Sequence, residues 1–319
     1  MQPTTTKALS HCTICPRNCG INRTHGQKGY CQAPLLPKVA LVSTHTWEEP
    51  PISGTKGSGT VFFSHCNMKC VFCQNHTISQ QQNGIEISIS RLADIFLEQQ
   101  NRGCHNVNLV SGSHFIPQIA EALTIAKQKG LSIPVVYNSN GYESLEGLRM
   151  LEGLIDIYLP DFKYWDNTLG LQYSHTPQYR QTTSAAILEM RRQIPEDCFD
   201  TQGILQRGII IRHLVLPQHY KDSCLILDWI KEHIGAQTMV SLLNQYTPMY
   251  EANHFRNLSR RLTTFEYQKV TEHFLHIGLQ NGFVQKRSSA TSEYTPLFDG
   301  SGVLTADTFP KKEGETQVW

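Results

Sequence analysis

Cys66, Cys70 and Cys73 stand in the spacing C-x3-C-x2-C, within a stretch that reads Ser-His-Cys-Asn-Met-Lys-Cys-Val-Phe-Cys-Gln over residues 64–74. The informative count is three thiols, not four. An iron–sulfur cubane is ordinarily held by four cysteine thiolates, so a loop that offers three leaves one iron free for a ligand that is not protein. An open metal site is a reactive one. The competing chemistry is zinc, with His65 or His76 completing a mixed tetrahedral shell. Zinc sites of that kind pair two separated knuckles, and no second knuckle comes after this loop. The spacing favours the cluster.

A second cysteine group precedes it. Cys12, Cys15, Cys19 and Cys31 stand in C-x2-C-x3-C-x11-C, with Gly26 and Gly29 permitting the tight reversals of a small metal knuckle. Four ligands would close a shell. A tetrahedral all-cysteine zinc site would be structural and a second iron–sulfur cluster would carry electrons; the spacing satisfies both. Cys104, Cys198 and Cys224 are solitary and read as small apolar residues.

The 319-residue chain has a formal charge of +1 and 14 histidines. That balance argues against nucleic acid or an anionic membrane surface as partner, since both usually require a strongly basic face. There is no apolar leader at the start and no run long enough to span a bilayer, so the expected compartment is the cytoplasm. Ten cysteines in that compartment stay reduced and serve metal or redox chemistry.

The elements that must position these residues show a regular alternation. Residues 1–11 are polar and Thr-rich and are expected to form a mobile terminus. Residues 38–43 read as a strand, and Pro50, Pro51, Gly54, Gly57 and Gly59 form a breaker-rich approach to the next one. This places the expected division at residue 53, with a Cys-rich extension over 1–53, a main domain over 54–290 and a polar tail over 291–319. Within the main domain, apolar strand patterns at 60–64, 105–110, 133–137, 155–159, 208–216 and 238–243 alternate with helical patterns. These lie at 89–100, 116–128, 142–151, onward from 159 to about 194, at 223–234 and at 264–278. Such alternation predicts an α/β fold whose parallel sheet has right-handed crossovers. Six units fall short of the eight of a closed barrel, and a doubly wound sheet competes. Polar residues gather immediately after the strands, which favours an open partial (βα)6 barrel with its site at the carboxyl face. They are Ser111-Gly112-Ser113-His114, Asn138-Ser139-Asn140-Gly141, Asp161-Phe162-Lys163 and Asn244-Gln245-Tyr246, with Arg212 and His213 on the fifth strand.

These residues together carry a resemblance. The cysteine loop, Tyr137-Asn-Ser-Asn-Gly141, Leu159-Pro-Asp-Phe-Lys163, Ile211-Arg-His-Leu-Val-Leu-Pro217 and Ser241-Leu-Leu-Asn-Gln-Tyr246 are similar to the pyruvate formate-lyase activating enzyme-like branch of the radical S-adenosylmethionine (radical SAM) superfamily. The resemblance runs from Cys12 to about Gln285. It implies a [4Fe–4S] cluster on Cys66, Cys70 and Cys73, whose free iron is chelated by S-adenosylmethionine. It also implies contacts to that cofactor from Asn140, Asp161, Lys163 and Arg212, and Phe72 packing near the adenine; Gly112, from its place after the second strand, is expected to offer backbone donors to a cofactor carboxylate. The implied activity is reductive cleavage of S-adenosylmethionine to a 5′-deoxyadenosyl radical that abstracts hydrogen from a glycine of a glycyl-radical protein, with a flavodoxin or ferredoxin as electron donor. Activating enzymes typically carry a Gly-Gly-Glu-Pro segment where this chain has Ser111-Gly112-Ser113-His114, so the cofactor's amino group must be contacted differently. A small molecule or another macromolecule is the alternative substrate. A non-catalytic metal-binding or electron-carrier module is the alternative class, against which the three-ligand loop argues.

Overall fold

The computed structural model describes residues 1–285 and 296–304. Ten strands form one sheet: β1 (Lys38–His45), β2 (Ser58–Phe63), β3 (Ile85–Glu86), β4 (Val107–Val110), β5 (Val135–Ser139), β6 (Ile157–Pro160), β7 (Cys198–Phe199), β8 (Leu205–Leu214), β9 (Met239–Leu243) and β10 (Gly282–Val284). Their order is β10-β9-β8-β6-β5-β4-β2-β1-β3, with β7 pairing alongside β8. From β2 to β10 every neighbour along this path is parallel. Strand order in space therefore matches strand order in sequence. A doubly wound sheet would reverse direction at a switch point; this one only advances, as a barrel wall does, and it stays unclosed between β10 and β3.

Helices cover the sheet: α1 (Pro3–Ser10), α2 (Pro50–Ser53), α3 (His76–Ser79), α4 (Ile89–Asn101), α5 (Ile116–Gln128), α6 (Leu145–Met150), α7 (Asn167–Ser174), α8 (Tyr179–Gln193), α9 (Tyr220–His233) and α10 (Thr264–His276). Local chemistry fixes several ends. Ser88 caps α4 by accepting from the Arg91 amide, and α4 then buries Leu92, Ile95 and Phe96 along one stripe. Thr263 and Glu266 form a reciprocal capping box on α10. The short parallel strands β2, β4, β5, β6 and β9 are buried along their whole length, which is why they read as apolar runs without alternation.

The structure departs from the expected elements in places that have local causes. The strand expected at 133–137 is Val135–Ser139, because Pro134 has no amide to give the ladder. The expected helix at 142–151 starts only after Ser144, whose hydroxyl caps it at the Gly147 amide. The helical pattern ending near 194 is two helices, α7 and α8, separated where His175 and Gln178 both take left-handed backbone. The terminus expected to be mobile is α1. Pro3 opens it, and Thr5 and Leu9 are buried as it packs beside α5, where the Thr5 hydroxyl bonds Pro117 O at 3.3 Å.

β1 is antiparallel to β2 in the common sheet, so the expected division at residue 53 falls between two paired strands. Of the expected tail, residues 291–295 and 305–319 lie outside the described residues. The described part returns to β1, where the Val42 amide bonds Ser301 O at 3.0 Å and Phe298 packs edge-on against Phe62. Among the described residues no helix is long and apolar enough to cross a membrane.

Candidate functional site

The carboxyl ends of the parallel strands open into one cavity, and the three clustered cysteines form its floor. β2 delivers the chain to this loop at Phe63. His65 then takes a φ of 70°, which turns the backbone out of the strand, and its amide is held by Ile78 O at 2.8 Å. The far side of the loop is fastened to the end of α7: the Lys69 amide bonds Ser174 O at 3.2 Å and the Val71 amide bonds Tyr173 O at 2.9 Å. Asn67, fully buried, donates to Tyr142 O and accepts from Asn140 Nδ2, each at 2.7 Å. These fastenings make a rigid cradle from residues far apart in sequence.

Each of the three sulfurs has polar hydrogen contacts. The Met68 amide lies 3.3 Å and Asn140 Nδ2 3.5 Å from Cys66 Sγ. Ser174 Oγ donates to Cys70 Sγ at 2.9 Å and lies 2.7 Å from Tyr164 Oη, a chain that orients the serine proton toward sulfur. Ser79 Oγ lies 3.3 Å from Cys73 Sγ. Burial, with the neighbouring thiols adding to it, pushes Cys66 up to about 12 and Cys70 up to about 11, and burial likewise raises Cys73; Lys163 opposes the shift at Cys70 and Cys73. Buried thiols that resist ionisation but are already surrounded by N–H and O–H donors form a donor set suited to a metal–sulfur group, whose cations would supply the missing positive charge. The residues fit a [4Fe–4S] cluster held on three sides.

Phe72, Asn140, Asp161, Lys163 and Arg212 all line this cavity with the three cysteines. Phe72 meets Tyr246 edge-on, ring centroids 5.8 Å apart, and Tyr246 is anchored by its hydroxyl on Leu258 O at 2.7 Å. Asp161 bonds Lys163 Nζ and sits 2.9 Å from Arg212 Nε. Burial disfavours the Asp161 charge, but Arg212 and then Lys163 outweigh it and hold the carboxyl below its ordinary range. Arg212 also donates to Asn138 Oδ1 at 2.5 Å and faces Glu48 Oε2 at 3.5 Å. All three guanidinium nitrogens therefore meet protein acceptors, an occupation the sequence did not disclose.

Gly112 is placed differently from its expected role. It does not line the cavity; Ser111 does, with a φ of 60°. A Cβ on Gly112 would come within 2.5 Å of Ile119 Cδ1, so the glycine serves the close approach of the turn to α5. His114 is buried beside it, with Nε2 bonded to Ser64 O at 2.7 Å. His213 is likewise buried, its Nδ1 on Phe162 O at 2.6 Å. Burial pushes both imidazoles down, to about 3 and about 4, and they are neutral packing groups.

Three wall residues escaped the sequence reading. Trp47, Glu48 and Glu49 come after β1 and line the cavity beside Arg212. Burial raises Glu48 and Glu49, and Arg212 opposes this in both. The only sequence signal was a tryptophan and two acids crowded between a strand and a proline pair.

Residues 60–201 match the Radical SAM superfamily, and the chain belongs to it. Membership implies a [4Fe–4S] cluster and S-adenosylmethionine as cofactors, and an enzyme of that class. The chain is similar to the uncharacterized protein MJ0674 of Methanocaldococcus jannaschii, 32% identical over 276 residues that cover 83% of this chain and 74% of that one. Among solved structures it is similar to Streptococcus suis SuiB bound to S-adenosylmethionine, with 14% identity and a TM-score of 0.47 over 70% of this chain, and it spans about half, 48%, of SuiB. It is also similar to methylornithine synthase (PylB), with 13% identity and a TM-score of 0.49 over 68% of this chain and 62% of that one.

Proposed function

We propose that the chain is a radical SAM enzyme whose substrate is a glycine α-carbon in a glycyl-radical protein. The observation that carries the chemistry is the convergence of Cys66, Cys70 and Cys73 on a cavity at the carboxyl ends of a parallel, unclosed sheet. When bound there, the cluster and S-adenosylmethionine supply one-electron cleavage of the sulfonium bond to methionine and a 5′-deoxyadenosyl radical. The electron comes from a flavodoxin or ferredoxin.

The chain's own residues bind and orient. Cys66, Cys70 and Cys73 would hold the cluster, and Asn140, Ser174 and Ser79 direct N–H or O–H groups at their sulfurs. Asp161, kept ionised by Arg212 and Lys163, accepts hydrogen bonds from the polar part of the cofactor, and Lys163 offers its charge to the methionine carboxylate. Ser111, which follows β4, takes the place of the Gly-Gly-Glu segment toward the cofactor's amino group. Phe72 and Tyr246 give the adenine an apolar edge and exclude water.

A macromolecular substrate is favoured by the unclosed sheet, which leaves a lateral gap for a protein segment. Anaerobic enzyme with S-adenosylmethionine, a reductant and candidate glycyl-radical proteins should give the glycyl doublet in electron paramagnetic resonance. Formation of 5′-deoxyadenosine coupled to a small metabolite, with no radical on any candidate protein, moves the reading to a small-molecule substrate.

A further inference from the structure

Away from the strand ends, Cys12, Cys15, Cys19 and Cys31 line a second, small cavity together with Arg17, Arg23 and His114. Their backbones are arranged to present sulfur inward. Cys12 pairs with Ile21 in an isolated bridge, which brings the two arms of the segment together. Three of the four sulfurs accept backbone amides: Tyr30 N lies 3.4 Å from Cys19 Sγ, and the amides of Arg17 and Ala33 bond Cys15 and Cys31. At Gly29 a Cβ would fall 2.8 Å from Cys19 Sγ, so the residue must be bare for the thiol to turn in. All four cysteines are free.

A buried donor at this cavity points to a ligand. Arg23, 2% exposed, spends its two terminal nitrogens on His114 O and Pro34 O, while its Nε has no hydrogen-bond partner among the described residues. A buried donor left unpaired is costly unless something in the cavity accepts from it. An anionic sulfur group in the cavity would accept from Arg23 Nε.

The four thiols are close enough to feel one another, Cys15 sensing Cys31 and Cys12, and Cys31 sensing Cys12 and Cys19. Four such thiolates suit zinc or an iron–sulfur cluster alike. The position of the site against the catalytic loop, whose chemistry consumes electrons, favours the group that carries them.

We propose that Cys12, Cys15, Cys19 and Cys31 hold a second [4Fe–4S] cluster with a closed shell, assembled from iron and sulfide with release of the four thiol protons. It abuts the catalytic loop: His65 Nδ1 bonds Cys31 O at 3.1 Å and Arg17 Nε bonds Asn67 O at 2.7 Å. The site does not depend on the substrate assigned above, and it is read out without turnover. The test is the full chain carrying Cys66→Ala, Cys70→Ala and Cys73→Ala, purified anaerobically and analysed for iron, zinc and acid-labile sulfide. About four irons and four sulfides per chain, lost when Cys19→Ser and Cys31→Ser are added, are the expected result. Zinc without sulfide, or no metal at all, overturns the proposal. Should the triple variant not fold, Mössbauer spectroscopy of the unsubstituted chain decides: about eight irons, falling to about four with Cys19→Ser, support it, and about four irons unchanged by Cys19→Ser overturn it.

Discussion

Arg212 Nε lies 2.9 Å from Asp161 Oδ1, on neighbouring parallel strand ends that also form an isolated bridge between the two residues. The pair is largely withdrawn from water, so removing one partner strands the other. Arg212→Met should destabilise the fold by about 3–5 kcal/mol, the usual cost of breaking a buried ion pair. Glu48→Gln should change stability by less than about 1 kcal/mol, because burial already disfavours the Glu48 charge. Urea denaturation of the two variants checks both values.

Glu143 gives a pH dependence. It is fully buried, with Ser113 Oγ at 2.5 Å, Ser139 Oγ at 2.6 Å and Tyr137 Oη at 3.2 Å all on Oε1, and burial pushes its carboxyl up to about 7 despite those donors. The folded state therefore holds a proton that the unfolded state has released. Its contribution is fully present below the ordinary glutamate value and is lost as pH rises through about 7, by roughly 3 kcal/mol at most. Denaturation midpoints at pH 5 and pH 8 should differ less for Glu143→Gln than for the unsubstituted chain.

Gly112→Ala tests whether this glycine serves packing. The added Cβ meets Ile119 Cδ1 at 2.5 Å, and the Ile119 side chain must shift. The expected cost is about 1–3 kcal/mol in stability. Calorimetry reads the loss, and affinity for S-adenosylmethionine, measured on the folded variant, should change little.

Asn140→Ala removes the amide hydrogen 3.5 Å from Cys66 Sγ. Hydrogen bonds to ligating sulfur favour the reduced cluster, so the midpoint potential of the catalytic cluster should become more negative with its iron content unchanged. A spectroelectrochemical titration measures it.

Much of this was legible before folding. Apolar runs marked the buried strands, and the cysteine spacing marked the loop without reference to any neighbour. Asn140, Asp161, Lys163 and Arg212 could be found because a parallel α/β sheet gathers at one face the residues at the carboxyl ends of its strands. The hidden part was set by pairing across sequence distance. Ser174 reaches Cys70 over a separation of 104 residues, and no periodicity foretells that. Trp47 and Glu48 follow β1, which runs antiparallel to β2 and so brings them to the cavity from the amino ends of the parallel strands, whereas a reading built on repeated βα units leaves β1 outside them. Gly112 looked like a cofactor contact because glycine after a strand is ambiguous between a ligand's approach and a helix's.

The sheet's advance in one direction also bears on biogenesis. A nascent chain that adds each parallel strand beside the previous one can dock its elements in the order in which they leave the ribosome. The cysteine loop comes directly after β2 and emerges early, while Arg212 on β8 and Tyr246 after β9 come late. For the interval between, three thiols stand on a partly built wall with no cover over them. That interval gives an iron–sulfur delivery system an unobstructed approach, and it is also when the thiols are most open to oxygen. Slowing translation between β2 and β8 would lengthen both exposures together.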